Sequence, residues 1–289
     1  MTLSPTPTRR SFLAGAGALA VAPLFTARAA AKSNLKLGVT DWNLRLSGKT
    51  DAVALAASLG FQGVELSIGT KPVDGKLPLA DEALQSKYLE ELKKHSIAAA
   101  GVCLDILHVN YLKNDKLGQK WVADSIPIAR KLNARVVLLP FFGKGGLTTK
   151  EEKDYVGDVL RDIAPEAQKQ GILLGLENMI SAEDNVRIMD RCRSEAVKVY
   201  YDVGNSTNAG FDVLKEIPWL GASRICQFHL KDNPHYLGEG KIAFPDVMRL
   251  IGNLGFAGFA NLETDSPSKS IPDDMRRNLG YLQGLLKAA

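Results

Sequence analysis

Short apolar runs and amphipathic stretches alternate eight times along this chain. The apolar runs are rich in Val, Ile, Leu and Ala, as buried strands are. They cover residues 35–40, 63–67, 97–104, 135–140, 172–177, 197–202, 224–229 and 258–263. The stretches between them have helical spacing, and several begin at Thr, Ser or Asp and end at Gly. They cover residues 50–59, 81–94, 118–132, 149–169, 182–193, 210–221, 243–254 and 272–287.

This alternation predicts an α/β fold, a (β/α)8 TIM barrel. Continuous apolar strands suit a parallel sheet that is buried on both faces, and eight such units close a barrel. A doubly wound open sheet is the alternative, and it is expected to carry a glycine-rich phosphate turn after its first strand. The chain has Thr40-Asp41-Trp42-Asn43 there instead. We therefore expect residues 32–289 to form a single barrel domain.

Residues 1–31 have the pattern of a twin-arginine signal peptide. Arg9 and Arg10 precede an apolar stretch, residues 12–25, that is too short to span a bilayer. Ala27-Arg28-Ala29 then supplies a small-residue cleavage signal. This order predicts that the Tat export machinery is a partner of the chain. The mature protein is expected in the periplasm or outside the cell.

Composition argues against several classes of partner. The whole chain has a net charge of +4, and the leader holds three arginines and no acid, so 33 basic and 32 acidic residues remain. Without basic runs or aromatic-basic stripes, no nucleic-acid partner is expected. No further apolar stretch has membrane length, so no membrane span is expected in the mature form. The three cysteines are expected to be structural and unpaired. The oligomeric state is left open.

Four of the strand-like runs end in one metal-binding side chain each. In chain order these are Glu177, Asp202, His229 and Glu263. Because parallel strands of a barrel have their carboxyl ends at one rim, these side chains should face a common point. Oxygen and nitrogen ligands without a thiolate favour Mn²⁺, Mg²⁺, Co²⁺ or Zn²⁺. We expect one divalent metal ion at this rim, with Mn²⁺ as the first candidate.

The residues around these ligands carry a family resemblance. The motifs are Leu176-Glu177-Asn178, Tyr201-Asp202-Val203-Gly204-Asn205, Phe228-His229-Leu230-Lys231-Asp232, Gly238-Glu239-Gly240 and Leu262-Glu263. Together they resemble the sugar phosphate isomerase/epimerase superfamily of xylose isomerase-like TIM barrels. The resemblance covers the mature chain and is strongest from 172 to 264. It implies a barrel, a metal site and a small-molecule carbohydrate substrate.

The resemblance also implies a reaction. In family members of the epimerase kind, the first and last ligand glutamates transfer protons, and these positions are Glu177 and Glu263 here. A divalent ion that chelates a carbonyl and the adjacent hydroxyl acidifies the C–H alpha to the carbonyl and stabilises a cis-enediolate. Two carboxylates can then remove and return a proton. Asp202 and His229 are expected to be ligands only.

Further residues at strand ends and on the following loops are candidates for substrate binding. They are Trp42, Glu65, His108, Glu183, Asn205, Lys231, His235 and Glu239. Trp42 could stack on a sugar and His108 could bind a hydroxyl. Asn205 and His235 stand where 3-epimerases of the resembled family commonly have a His and an Arg that hold substrate oxygens. This departure argues against a simple free-ketose epimerase.

The main hypothesis is a metal-dependent isomerase or epimerase of a small sugar or hydroxy-carbonyl compound. A lyase or hydratase acting on 3-keto-glycosides is an alternative in which the same base acts and an alkoxide leaves. A non-catalytic sugar-binding barrel is another. A phosphorylated substrate is not favoured, because Thr264, Ser266 and Ser268 have no Arg near them in sequence.

Overall fold

The strands close into a parallel barrel, which confirms the predicted fold. The structure is a computed structural model that describes residues 1–2 and 34–288, so the predicted twin-arginine motif and cleavage signal lie outside the described residues. Each strand pairs in parallel with the next, and the last pairs with the first. The strands are β1 (Lys36–Thr40), β2 (Gly63–Ser67), β3 (Ala98–Cys103), β4 (Val136–Pro140), β5 (Leu173–Glu177), β6 (Val197–Asp202), β7 (Ile225–Leu230) and β8 (Phe259–Leu262).

Helices follow the strands around the barrel. They are α1 (Asp51–Leu59), α2 (Glu82–His95), α3 (Lys116–Lys131), α4 (Lys150–Gln170), α5 (Ala182–Cys192), α6 (Val203–Asn208), α7 (Val213–Arg224), α8 (Phe244–Asn253) and α9 (Ile271–Ala288). Several begin at the predicted caps, as in the reciprocal capping box of Thr149 and Glu152 at α4. None of the helices in the described ranges is both long and apolar enough to cross a membrane.

The short helix α6 is absent from the sequence prediction. It begins directly after β6, where the Asp202 side chain accepts a hydrogen bond from the Asn205 backbone N–H at 2.8 Å. Asp202 therefore caps this helix with Oδ1 and keeps Oδ2 for other partners. The cap ties a strand-end carboxylate to a fixed backbone position.

The barrel has an apolar layer outside the sheet and a mixed layer inside it. The outer layer packs the helices onto the strands. Inside lie Cys103, Val136, Leu138, Tyr200 and Cys226. Buried polar side chains share this interior, and they need internal hydrogen bonds because water is excluded. All three cysteines are buried and unpaired, as expected.

Candidate metal centre

Four side chains meet at the carboxyl-terminal rim of the barrel. Glu177 ends β5, Asp202 ends β6, His229 lies near the end of β7 and Glu263 follows β8. One ligand atom from each lies within 4.8 Å of those of the other three. The register of the sheet brings two of these side chains together, because Asp202 on β6 pairs directly with His229 on β7. Only Glu263 of the four is more than marginally exposed.

The imidazole of His229 is fully buried at the centre of the cluster. Its Nδ1 atom is 2.9 Å from Glu177 Oε1, 3.4 Å from Glu263 Oε2 and 3.7 Å from Asp202 Oδ2. Its Nε2 atom is 2.8 Å from Glu65 Oε2. Glu65 therefore holds the proton on Nε2, and Nδ1 is the nitrogen that would present its lone pair to a metal ion bound among the three other ligands.

Glu65 on β2 is the buried support for this imidazole. Its Oε2 atom also accepts hydrogen bonds from the Tyr200 hydroxyl at 2.8 Å and from Asn261 Nδ2 at 3.0 Å. Gly38 makes room for this arrangement, since a Cβ at that position would lie 2.1 Å from Asn261 Oδ1. Three donors stabilise a carboxylate that has no exposed surface.

The donor set fits a divalent cation. Three carboxylates and one imidazole offer hard oxygen atoms and a borderline nitrogen, with no sulfur. The Asp202 Oδ2 atom is buried, and its close cationic neighbour is the Lys231 ammonium at 2.7 Å. Three carboxylates at one buried point need more positive charge than one lysine supplies, and a divalent ion would provide it. Glu177, Asp202, His229 and Glu263 are the residues that would hold it.

The electrostatic environment drives the pKa values of the two glutamate ligands apart. Burial raises the pKa of Glu177 above its usual range, and the Glu263 and Asp202 charges add to this against the opposing effect of His229. Burial would also raise the pKa of Glu263, but the positive charges of His229 and Lys231 outweigh it and lower that pKa. Burial alone would lower the pKa of His229, but the surrounding carboxylates raise it well above its ordinary value.

Neighbouring side chains hold the ligand carboxylates in place. The Trp42 indole donates to Glu263 Oε1 at 3.0 Å, and its ring meets the His229 ring edge-on at 5.9 Å between centroids. Asn205 Nδ2 donates to Glu177 Oε1 at 3.4 Å. The Lys231 ammonium lies 2.7 Å from Asp202 Oδ2. Trp42, Asn205 and Lys231 thus contact the cluster itself, as well as the space above it.

A cavity of about 470 Å³ opens above the cluster. It is lined by Trp42, Cys103, Asp105, His108, Pro140, Phe142, Glu177, Asn205, Lys231 and Glu263. His108 and Phe142 form one aromatic wall, with stacked rings 6.2 Å apart between centroids. Of the predicted substrate-binding residues, Trp42, His108, Asn205 and Lys231 line this cavity. Its size is in the range of small-molecule sites.

A larger hollow of about 980 Å³ lies at the opposite end of the barrel. Residues at or near the amino ends of the strands line it, among them Lys36, Ala98 and Ile225. The four candidate ligands are absent from its lining. Since active sites in this fold lie at the carboxyl-terminal face, the smaller cavity is the candidate functional site.

The structure places four of the predicted substrate contacts elsewhere. Glu65 lies inside the barrel behind His229. It contacts the imidazole rather than the cavity in which a sugar was predicted to bind. Glu183 is exposed in the first turn of α5 and lines an outer groove with Arg187. His235 and Glu239 lie on the exposed loop after β7, where Glu239 forms an ion pair with Arg277. Glu65 lies within β2, and the other three follow strands in sequence, but none of the four lines the cavity.

The sequence prediction gave no role to two aspartates near the site. Asp105 lines the cavity, and its carboxylate accepts a hydrogen bond from the Gly69 N–H at 3.1 Å. It follows β3 by two residues, so the strand-end rule that found the ligands could also have found it. Asp232 accepts hydrogen bonds from the N–H groups of Gly238, Gly240, Lys241 and Ile242. It organises the loop that contains the Gly238-Glu239-Gly240 turn.

Comparison with known proteins identifies the family of this barrel. The family model described as xylose isomerase-like TIM barrel matches residues 53–285. The chain belongs to this family. A 2-epi-5-epi-valiolone 7-phosphate 2-epimerase from Actinoplanes sp. is 25% identical over 215 residues, which is 72% of this chain and 76% of the relative. Family membership and this relative identify the chain as an isomerase- or epimerase-like enzyme.

Solved structures share the fold at low sequence identity. D-Allulose 3-epimerase from Methylomonas sp., in complex with D-allulose, superposes with a TM-score of 0.69 at 14% identity, covering 86% of this chain and 96% of that chain. The 3-keto-D-glucoside 4-epimerase from E. coli superposes with a TM-score of 0.68 at 15% identity, covering 86% of this chain and 99% of that chain. These neighbours establish the architecture.

Proposed function

We propose that this protein is a divalent-metal-dependent isomerase or epimerase of a small sugar or hydroxy-carbonyl compound. The observation that carries the proposal is the pair Glu177 and Glu263. Both line the cavity, and both approach the same nitrogen of His229, at 2.9 and 3.4 Å. An epimerisation, which removes the proton alpha to a carbonyl from one face and returns a proton to the other, is served by two such groups beside one substrate carbon.

The two glutamates lie in different electrostatic environments in the metal-free site. The pKa of Glu177 is raised mainly by burial, whereas the pKa of Glu263 is lowered because His229 and Lys231 outweigh its burial. A bound divalent ion would favour the ionised form of both carboxylates, so that either could then act as the base. Trp42 donates to Glu263 Oε1 and fixes its orientation towards the cavity. When bound, a divalent ion would polarise the substrate carbonyl and stabilise the enediolate charge.

We propose Mn²⁺ as the first candidate for this ion, with Mg²⁺, Co²⁺ and Zn²⁺ as alternatives. The three carboxylates favour hard cations, while the imidazole extends the range to Co²⁺ and Zn²⁺. Elemental analysis of protein purified without added metal, followed by reconstitution with each ion, will identify the one that restores activity.

The substrate we propose is not phosphorylated, unlike the compound named for the Actinoplanes epimerase. Barrels of this kind often bind phosphate with the loops after strands seven and eight and a helix N-terminus. Here the buried carboxylate of Asp274 takes those donors: it accepts hydrogen bonds from the hydroxyls of Ser266, Ser268 and Tyr236. The Ser268 N–H also donates to it, at 3.0 Å. A phosphate would have to displace this carboxylate.

A lyase acting on 3-keto-glycosides is the second candidate. Its substrate class is the one in the name of the structural neighbour 3-keto-D-glucoside 4-epimerase, which is itself an epimerase. The wall of His108 and Phe142 could pack against a glycosidic substituent. In this reaction Glu177 or Glu263 would remove the same alpha proton, and the glycosidic oxygen would leave.

Solvent deuterium exchange tests the proposal. The Mn²⁺-loaded mature protein is incubated in D₂O with D-allulose, other free ketoses and 3-keto-glucosides, and deuterium at the carbon alpha to the carbonyl is measured by NMR. Epimerisation gives a deuterated epimer, whereas lyase activity releases the aglycone. Glu177→Gln and Glu263→Gln should each lower turnover by about a hundredfold or more while retaining substantial metal.

The exposed Glu166 on α4 supplies a matched control, since Glu166→Gln makes the same chemical change at the surface. It should keep wild-type turnover. If neither exchange nor aglycone release occurs with any compound while sugars still bind, the protein is a sugar-binding barrel. If both cavity variants turn over at the wild-type rate, the two glutamates are not the proton carriers.

We also propose that the protein works in the periplasm or outside the cell, exported by the Tat machinery. Arg9-Arg10, the short apolar stretch and Ala27-Arg28-Ala29 support this location. A folded passenger that receives its metal before export would suit that route. The nearly balanced charge of residues 32–289 agrees with a carbohydrate partner and gives no attraction to nucleic acid.

A further inference from the structure

The ammonium of Lys231 lies between two of the four candidate ligands. Its Nζ atom is 2.7 Å from Asp202 Oδ2 and 2.5 Å from Glu263 Oε2. The lysine side chain is 14% exposed, and that of Asp202 is 1% exposed. At these separations and this burial, salt in the solvent screens the attraction only weakly.

The fold provides a slot for the lysine stem. Gly204 stands in α6, two residues after Asp202, and a Cβ at Gly204 would lie 2.4 Å from Lys231 Cγ. Any side chain at this position would therefore collide with the stem. The glycine lets Lys231 run across the start of α6 to Asp202, so this position of the ammonium is built into the packing.

We propose that Lys231 is a resident cation of the metal centre, which neutralises Asp202 and Glu263 in the metal-free protein and competes with the divalent ion for them. An ammonium and a divalent cation that share the same two oxygens would repel each other strongly. Metal binding therefore requires the ammonium to withdraw from Asp202 and Glu263.

The cavity can accommodate the withdrawn ammonium, because Lys231 also lines it. There it would stand beside the substrate oxygens, where a cation can bind a hydroxyl or a developing negative charge. Metal occupancy would thus convert Lys231 from a counter-ion of the ligands into a substrate-binding group. This role rests on the proposed function, but its first step can be measured without any substrate.

Metal affinity of Lys231→Met tests the competition. Methionine keeps much of the stem volume and removes the charge, so Mn²⁺ should bind about tenfold tighter or more, as expected for loss of a unit positive charge a few ångströms away. Affinity is measured by calorimetry on the metal-free protein. If the metal-free variant does not fold, affinity is obtained from the loaded protein by competition with a chelator of known affinity.

Lys215→Met is the matched control, because Lys215 also pairs with an aspartate but is 85% exposed. Its Mn²⁺ affinity should equal that of the wild type. Unchanged Mn²⁺ affinity in Lys231→Met would overturn the proposal, because the lysine would then have no effect on metal binding. Weaker binding would also overturn it, because the lysine would then help to position the ligands.

Chemical labelling tests the withdrawal itself. Reductive methylation of the wild-type protein, analysed by peptide mass spectrometry, should label Lys231 several-fold faster with saturating Mn²⁺ than with a chelator. Labelling of Lys215 should be the same in both and serves as the internal reference. Equal or slower labelling of Lys231 in the presence of Mn²⁺ would mean that the ammonium stays with the ligands. Both measurements remain valid whether or not a sugar is ever turned over.

Discussion

Among single residues, Glu65 decides which ring nitrogen of His229 faces the other ligands. Its carboxylate accepts from the imidazole, from Tyr200 and from Asn261, all at one oxygen. A carboxylate behind a histidine ligand orients the ring and raises its basicity. The support is therefore part of the metal centre although it never reaches the cavity.

Glu65→Gln should lower Mn²⁺ affinity by about tenfold to a hundredfold with the fold retained. Glutamine has no charge, and its amide can present a donor to Nε2, which would favour the wrong tautomer of His229. Calorimetric titration with Mn²⁺ measures the loss, and circular dichroism reports the fold. Glu91→Gln on the surface of α2 is the control. Equal affinity in wild type and Glu65→Gln would show that the imidazole needs no such support.

Asp41, directly after β1, is a second buried carboxyl with a measurable consequence. Burial raises its pKa from 3.8 to about 8, against the lowering effect of hydrogen bonds from the Ser67 and Gly48 N–H groups. Because the folded-state pKa lies above the unfolded value, the folded state holds an extra proton between these two pH values. The protonated Asp41 carboxyl therefore makes its full contribution to the unfolding free energy below about pH 4, and this contribution is lost as the pH rises towards 8.

Asp41→Asn should remove this part of the pH dependence. The amide oxygen can still accept from both N–H groups, so the fold should be retained. The unfolding free energy of the wild type relative to the variant should fall between pH 4 and pH 8, by at most about 1.4 kcal/mol per pH unit. Urea unfolding in the presence of a chelator measures both curves. Parallel curves over this window would contradict the raised pKa.

At the scale of elements, the loop between β7 and α8 is organised by one aspartate. Asp232 accepts hydrogen bonds from four backbone N–H groups, at 2.9 to 3.4 Å. Gly240 is required by this arrangement, since a Cβ there would lie 2.2 Å from Asp232 Oδ1. The Lys-Asp and Gly-Glu-Gly motifs of the sequence are therefore two halves of one structural unit.

Asp232→Ala should lower the unfolding free energy by about 2 kcal/mol or more, because hydrogen bonds to a charged group are lost and four N–H groups lose their acceptor. Gly240→Ala should act in the same direction through the collision with Asp232. Gly252→Ala is the control: it lies in α8 with open space around it, so alanine should stabilise the helix slightly. Chemical denaturation measures all three. A Gly240→Ala variant as stable as the wild type would show that the Asp232 carboxylate does not pack closely against residue 240.

At the scale of the whole molecule, we expect residues 1–31 to direct the barrel to the periplasm. Replacing Arg9 and Arg10 together by Lys should leave the fold unchanged and keep the protein in the cytoplasm, because the Tat machinery recognises the arginine pair. Cell fractionation followed by immunoblotting measures the distribution, and Lys215→Met serves as the control for expression. Normal recovery of the Lys-Lys variant from the periplasm would remove the basis for Tat export.

The sequence by itself determined the barrel and the meeting of its four candidate ligands. Eight apolar runs buried on both faces can close only as parallel strands with helices between them, and parallel strands place their carboxyl ends at one rim. The clustering of the four candidate ligands could therefore be predicted without knowledge of long-range contacts. These ligands are Glu177, Asp202, His229 and Glu263. The short helix α6 was missed because its start depends on the Asp202 cap rather than on an apolar period.

Only the tertiary structure decided which other residues belong to the site. Strands buried on both faces lose the alternation that distinguishes an inward side chain from an outward one. The sequence therefore placed Glu65 on the second strand but could not place it behind His229. Glu183 in the first turn of α5 and Glu239 on the loop after β7 both follow ligand-bearing strands in sequence, yet both are exposed. The slot between Gly204 and Lys231, and the bond between Glu65 and Tyr200, join positions far apart in the chain. Closure of the barrel creates these contacts, and they cannot be predicted from the spacing of residues in the sequence.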